Sequence, residues 1–170
     1  RKPVFGYTAL VLALVATGFV SFGLWVHHMF TTGLPHLGLS FFTAAGAMIA
    51  IPSGVQVFCW IASLWGTRIR FATPMLFVLG FFAIFIIGGL TGVMVASIPF
   101  DTQVHDSYFV VAHLHYVLIG GAVFPFFAGL YYWYPKMTGR LMSERLGKWS
   151  FALIFIGTNL TFFPMHQLGL

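Results

Sequence analysis

Charged residues are scarce in this chain: only 6% of its 170 residues are Asp, Glu, Lys or Arg. A soluble domain carries about 25% of such residues. The charges are too few to cover a water-facing surface, and 59% of the residues are hydrophobic, so we expect lipid to be the solvent. The formal net charge of +5 suggests nucleic acid as a partner, but the basic residues form no single patch, and we expect no such partner.

Cysteine is almost absent, since Cys59 is the only one. A single cysteine excludes an intrachain disulfide framework and a CxxC metal site. Cys59 lies beside Trp60 in an apolar run, which indicates a small buried apolar residue. A cleavable signal peptide is not evident either. Because the chain starts at Arg1 without Met, we expect it to be a piece of a longer protein.

Long apolar runs make up most of the chain. A helix crosses the hydrocarbon core with about 20 apolar residues, and five runs are long enough. We therefore predict an all-α membrane protein that is one domain over residues 1–170, with five transmembrane helices. The predicted spans are residues 5–26, 37–65, 74–98, 107–134 and 149–170. Pro52 and Pro125 interrupt two spans, and the glycine pairs at 88–89 and 120–121 allow close helix contact.

The basic residues are distributed unevenly between the loops. All eight Lys and Arg residues, including Arg1 and Lys2, fall on one side of the five-span arrangement. Asp101 and Asp106 fall on the other side. This is the positive-inside pattern, which places the N-terminus on the cytoplasmic or matrix side. All seven histidines then lie in the outer half of the membrane or at its outer edge.

His113 and His115 stand one residue apart inside the fourth predicted span. Residues i and i+2 of a helix point about 200° apart, so the two imidazoles cannot bind one metal while the helix stays regular. They can bind two centres on opposite sides of the helix, and neutral imidazoles in apolar surroundings suit haem iron. Two histidines that simply form hydrogen bonds to backbone or to neighbouring helices remain an equal alternative.

His27 and His28 end the first span. Adjacent residues of a helix diverge by about 100°, but both imidazoles can reach one metal if the helix frays, as the following Thr31-Thr32-Gly33 suggests. Two imidazoles suit copper, zinc or iron, although a complete site needs a third ligand. A hydrated pair of histidines at the membrane surface is the alternative.

A histidine and two acidic residues precede the fourth span. His105 and Asp106 could bind a divalent ion together with waters, or Asp106 could cap the helix, which we favour from the sequence alone. Asp101 could accept a hydrogen bond from a buried polar group or lie in a solvated loop.

A few polar residues lie within the spans themselves. Ser53 and Gln56, next to Pro52, could line a hydrated proton path or form hydrogen bonds across helices, and so could Thr91. Hydrogen bonding between helices is the commoner role of such residues in a membrane bundle.

Five motifs taken together closely resemble subunit I of the haem–copper terminal oxidases, of the cytochrome c oxidase or quinol oxidase kind. They are WVHHMFTTG from residue 25, IPSGVQVF from 51, GGLTGV from 88, HDSYFVVAHLHYVL from 105 and TFFPMHQLGL from 161. The resemblance covers essentially the whole chain and corresponds to roughly spans seven to eleven of a twelve-helix subunit.

The resemblance implies a role for each histidine motif. His27 and His28 match two copper ligands of the dioxygen-reducing centre. His113 matches the axial ligand of the high-spin haem, and His115 matches one axial ligand of the low-spin haem. His105 and Asp106 match a Mg or Mn site near the haem propionates, with Asp101 close to it.

The resemblance also implies a function and partners. It implies a respiratory-chain oxidoreductase and translocase that passes electrons to dioxygen, reduces it to water and pumps protons. The partners would be the remaining parts of subunit I, other oxidase subunits, and cytochrome c or quinol as electron donor. The setting would be the bacterial plasma membrane or the mitochondrial inner membrane.

Two features limit what the resemblance implies. Other ligands of the copper and of the low-spin haem match parts of the subunit outside this chain, so we expect the chain alone to bind haem poorly and to be inactive. Gln56 stands where the family pattern has a lysine that starts a proton path, and Ser53 occupies a hydroxyl position of that path. The alternatives to an oxidase are a membrane metal transporter or channel with histidine ligands, and a structural subunit without a cofactor.

Overall fold

The computed structural model describes residues 3–170, and helices are the only regular structure in that range. The helices are α1 (Tyr7–Ser21), a 3₁₀ helix (Trp25–Met29), α2 (His36–Met48), α3 (Ala50–Leu64), α4 (Thr73–Ala96), α5 (Ile98–Val104), α6 (Tyr108–Leu118), a π-helical segment (Ile119–Val123), α7 (Phe124–Thr138) and α8 (Glu144–Leu168). Joined across their short breaks, they give five helical stretches long and apolar enough to span a membrane. The prediction of an all-α membrane protein with five spans is confirmed, while Arg1 and Lys2 of the charge argument lie outside the described residues.

Pro52 explains why the second span is divided in two. Proline has no N–H, and its ring clashes with the carbonyl of residue i−4, which here is Met48, the last residue of α2. Ile49 keeps helical backbone angles but forms a turn between the two helices, and the chain continues as α3, where Ser53 N donates to Ile49 O at 3.2 Å. The predicted interruption is therefore found one turn before the proline itself.

Pro125 has a different effect in the fourth span. The helix stays continuous but widens into the π-helical segment Ile119–Val123 immediately before Pro125. A π-helix pairs residue i with residue i+5, and Phe124 N accordingly donates to Ile119 O. The wider turn accommodates a proline that has no N–H to donate to the carbonyl four residues back.

The fifth span begins earlier than its apolar run predicts. Ser143 is the N-cap of α8 and its hydroxyl accepts from Leu146 N at 3.3 Å, so the polar turn from Glu144 is already helical. Glu144 also accepts from Thr73 N at 2.8 Å and from Thr73 Oγ1 at 3.1 Å. The residue before α4 is Ala72, which cannot cap a helix, and the Glu144 carboxylate takes that role.

The described chain forms two compact units. Unit 1 runs to Arg68 and resumes over Gly92–His105, so it holds the first two spans and α5. Within it, α1 and α3 pack together, and a side chain at Gly6 would meet Cys59 Sγ at 3.1 Å. Cys59 is buried, as predicted.

Unit 2 consists of Ile69–Thr91 and Asp106–Leu170. Its core is a cluster of buried side chains from α4, α6 and α7, with rings from α8 packed against it. The buried members are Phe77, Ile84, Tyr116, Phe124 and Ala128. Through this core α6 packs against both α4 and α8, and α6 carries the two histidines of the HLH motif. The prediction of a single domain over residues 1–170 stays a prediction.

Candidate functional site

His113 is held by α4 through one ring nitrogen. Its Nδ1 lies 2.9 Å from Gly88 O and 3.2 Å from Thr91 Oγ1. The Thr91 hydroxyl lies 3.1 Å from Ile87 O and 3.0 Å from Gly88 O. Because it donates its proton to these backbone carbonyls, its oxygen is the acceptor in the contact with His113. Both partners therefore accept from His113, which assigns the proton to Nδ1 and the lone pair to Nε2.

His115 is held in the same tautomer by its own helix. Its Nδ1 lies 2.7 Å from Val111 O, one turn earlier in α6. A carbonyl can only accept, so Nδ1 carries the proton and Nε2 carries the lone pair. On its face, the imidazole stacks against the Phe162 ring of α8, with ring centroids 3.9 Å apart and planes inclined by 12°.

The two imidazoles thus have different neighbours: His113 contacts α4 and His115 contacts α8. Contacts to two different helices are what helical periodicity leads us to expect for side chains that point apart. Each ring is held through Nδ1, which leaves Nε2 as the ligand atom, and a hydrogen bond to Nδ1 is the usual support of a metal-binding histidine. The chemistry of both side chains fits axial ligation of haem iron.

His27 and His28 lie in the 3₁₀ helix Trp25–Met29, after the α-helical part of the span has ended at Ser21. The expected loss of regular α-helix at the pair is therefore found. The two rings lie close together, with centroids 4.3 Å apart and planes inclined by 47°. Imidazole nitrogens suit copper, but the pair supplies only two ligands, and within residues 3–170 no three His, Cys, Asp or Glu side chains assemble into a metal site.

Asp101 lies in α5, a short helix that the sequence did not predict. It is only 4% exposed and pairs with His105, whose Nδ1 is 2.7 Å from Asp101 Oδ2. We considered two roles for Asp101, a hydrogen-bond acceptor for a buried polar group and a residue of a solvated loop. The structure supports the first, with the partly buried His105 as the partner.

Asp106 does not cap α6, contrary to our expectation. The N-cap is Ser107, whose Oγ accepts from Phe109 N at 3.2 Å. Asp106 is exposed and has a positive φ of 55°, a conformation that Asp adopts more readily than most residues. It lies in the turn that leads into α6.

Gln56 lies in α3, is 7% exposed, and forms hydrogen bonds across to α1. Its Nε2 donates to Thr17 Oγ1 at 2.7 Å and lies 3.4 Å from Ala13 O. Thr17 in turn donates to Ala13 O at 2.9 Å. Ser53 lies one turn earlier on the same helix and is half-buried. In the structure, Gln56 therefore links α3 to α1 by hydrogen bonding.

Phe162 contacts His115 and Gly88 contacts His113, but the sequence did not identify either residue as a partner of a histidine. One signal was available for Phe162, because Asn159, Phe162 and His166 follow the i, i+3, i+7 spacing of one helix face in the fifth span. No signal was available for Gly88 O, since any residue presents a carbonyl and the register of α4 against α6 decides which one lies near His113.

Comparison with known proteins gives consistent matches along the whole chain. The family model for cytochrome c and quinol oxidase polypeptide I matches residues 1–170. A cytochrome c oxidase subunit 1 from Synechocystis sp. is 55% identical over 170 residues, and one from Thermostichus vulcanus is 53% identical. That of Bacillus subtilis is 50% identical over the same length.

The chain spans only part of these relatives. All of it is matched, but it covers 31% of the Synechocystis and Thermostichus proteins and 27% of the Bacillus subtilis protein. Neither a metal transporter nor a channel finds support among these matches. With a family model matched over its entire length, the chain belongs to the cytochrome c and quinol oxidase polypeptide I family.

Proposed function

We propose that this chain is part of the catalytic subunit of a respiratory terminal oxidase that reduces dioxygen to water and couples the reaction to proton translocation. The observation that carries the proposal is the pair on α6. His113 and His115 are both held through Nδ1 and are directed towards different neighbouring helices. That geometry suits two separate haem centres on the two sides of one helix.

Each histidine has a proposed ligand role. His113 would hold the high-spin haem and His115 the low-spin haem, while His27 and His28 would hold copper with further ligands from the rest of the subunit. When bound, the two haems and the copper supply the electron transfer and dioxygen-binding chemistry that this family uses. The chain itself fixes the tautomer of each neutral imidazole, because a carbonyl acceptor holds the proton at Nδ1 and leaves the lone pair of Nε2 for the metal.

His105 and Asp106, adjacent in the chain, are the proposed ligands of a Mg or Mn ion. Asp101 supports this role, because a carboxylate that accepts from His105 Nδ1 leaves the lone pair on Nε2 and orients the ring. The exposed Asp106 carboxylate offers the oxygen ligand that such hard cations prefer.

The proposed setting follows from charge and family. An integral membrane protein of this family works with other oxidase subunits, and we place the basic loops on the cytoplasmic or matrix side. Cytochrome c or quinol would supply the electrons. Ser53 and Gln56 would mark a proton path in which Gln56 cannot carry a proton as an ammonium, so proton delivery would use another route or be slower in the steps that a lysine serves.

The ligand roles can be tested in membranes that contain the full-length parent. We expect His115→Asn to remove the low-spin haem spectrum, His113→Asn to remove the high-spin one, and His28→Asn to remove copper while both haems remain. Each change should lower oxygen uptake more than about 100-fold, since even changes around a ligand typically cost 10–100-fold.

His36→Asn is the matched control, because His36 is exposed at the start of α2 and has no proposed ligand role. It should retain both spectra and oxygen uptake. Unchanged haem spectra in both the His113 and His115 variants would refute the proposed function.

A further inference from the structure

One face of α8 contacts the histidine-bearing part of α6. Asn159 Oδ1 accepts from Tyr116 OH at 2.8 Å, and Asn159 Nδ2 donates to Phe155 O at 2.8 Å. His166 meets the Tyr116 ring edge to face at 5.1 Å. Phe162 lies between Asn159 and His166 in α8, so the two contacts fix its position along α6.

Phe162 makes an unusually close and parallel contact with His115. Aromatic pairs usually have centroids about 4.5–7 Å apart, whereas these two rings are 3.9 Å apart and inclined by only 12°. Nearly parallel rings at this distance cannot rotate independently. The contact therefore restrains the plane of the imidazole.

The imidazole needs such a restraint. The χ2 torsion of histidine joins sp³ and sp² atoms and has a broad energy minimum. The hydrogen bond from Nδ1 to Val111 O fixes one edge of the His115 ring, and Phe162 fixes its face. Together the two contacts leave one ring orientation.

We propose that Phe162 is a positioning residue that sets the ring plane of His115 and thereby the spectroscopic and redox properties of the iron bound there. The proposal rests on the proposed role of His115 as a haem ligand. The overlap of an imidazole π orbital with the iron d orbitals changes as the ring turns about the iron–nitrogen bond, so the orientation affects how these d orbitals split.

The Phe162 ring should also affect the reduction potential of the haem, through its effect on water near the ligand. An apolar ring against the ligand excludes water and lowers the local dielectric constant, and such surroundings tune reduction potential. Ferric haem carries one positive charge more than ferrous haem, so a drier site disfavours the ferric form. Loss of the ring should lower the reduction potential.

The test uses the full-length oxidase with Phe162→Leu and Phe162→Met, which keep an apolar side chain but remove the ring. We expect the electron paramagnetic resonance g-values of the low-spin ferric haem to shift and its midpoint potential to fall. Phe162→Tyr keeps the ring and should restore the wild-type g-values. The spectrum of the high-spin haem serves as an internal reference and should not change.

Phe163→Leu is the matched control, because Phe163 is the next residue of α8 but is 53% exposed. If the Phe162 variants match this control in g-values and potential, the proposal is wrong although the proposed function stands. It is equally wrong if both haem spectra change together, or if neither variant without the ring assembles, since Phe162 would then be a general packing residue. Retention of the low-spin haem in His115→Asn would instead overturn the ligand role proposed for His115, on which this inference rests.

Discussion

Gln56 is a buried amide between two largely apolar helices, α1 and α3. Its Nε2 lies near two oxygen acceptors, Thr17 Oγ1 and Ala13 O, both contributed by α1. An ammonium group at this position would meet the same two acceptors, so a lysine could be accommodated without a new partner. The local geometry therefore permits a direct exchange of amide for ammonium.

Gln56→Lys in the full-length oxidase should increase turnover and the rate of proton uptake, because a lysine can take up and release a proton whereas an amide cannot. Both rates can be measured by oxygen consumption and by stopped-flow recording with a pH indicator. Gln56→Met is the control: it adds no proton carrier and should cost about 1 kcal/mol of stability through the lost hydrogen bond. Unchanged turnover and proton uptake in Gln56→Lys would show that this position does not limit proton delivery.

At the residue scale, the sequence predicts the direction of a side chain on its helix better than it predicts the groups that the side chain contacts. Helical periodicity alone gave the opposite directions of His113 and His115, because a spacing of two residues leaves little choice. The acceptors of His113 depend on the register between α4 and α6, which no local pattern encodes. Asp106 and Ser107 are both good capping residues. An N-cap residue has extended backbone angles, which Ser107 has and Asp106, with its positive φ, does not.

At the scale of elements, Gly88 allows a close approach of α4 to α6. A Cβ at Gly88 would lie 3.0 Å from Tyr116 C and Val117 N, which are backbone atoms and cannot move aside. A Cβ at Gly89 would have no atom within 4 Å. Only Gly88 of the predicted pair makes the close contact, and its carbonyl is also the partner of His113.

Gly88→Ala should destabilise the full-length protein by about 1–3 kcal/mol, the usual cost of an added methyl group in a packed contact. It should also disturb the spectrum of the His113-bound haem. Thermal unfolding in detergent and the optical spectrum measure the two effects. Gly89→Ala has room for its methyl group and should leave both unchanged, and equal effects of the two substitutions would contradict the inferred role of Gly88.

Apolar run length predicted the five spans, but it did not predict how their ends are built. The run from Trp149 misses the first turn of α8, because Ser143 starts the helix among polar residues. The helix α5 was missed because seven residues are too few for a periodic signal. Proline marked both interruptions, although not whether the helix would break or widen.

At the scale of the whole molecule, the exposed surface of the spans is strongly apolar. Large side chains such as Phe22, Leu37 and Phe58 are mostly exposed in the isolated chain. Such surfaces need lipid or neighbouring helices of the same subunit around them. The distribution of charged loops then decides which way the protein faces.

The proposed orientation can be measured by cysteine labelling of the full-length protein in intact cells. Thr102→Cys, in α5 next to Asp101, should react with a membrane-impermeant maleimide. Arg140→Cys, in the basic connection between α7 and α8, should react only after permeabilisation. Both positions are exposed, and buried Cys59 should contribute little background. The unsubstituted protein provides the blank, and the reverse labelling pattern would overturn the orientation.

The Glu144 contact with Thr73 has a consequence for biosynthesis. The two residues are 71 positions apart, and a ribosome adding about 5–20 residues per second needs about 4–14 s to make the chain between them. During that interval, only water or lipid headgroups can satisfy the first amide of α4. The third span therefore enters the membrane with an incomplete end, and it reaches its final state only when the fifth span has been synthesised.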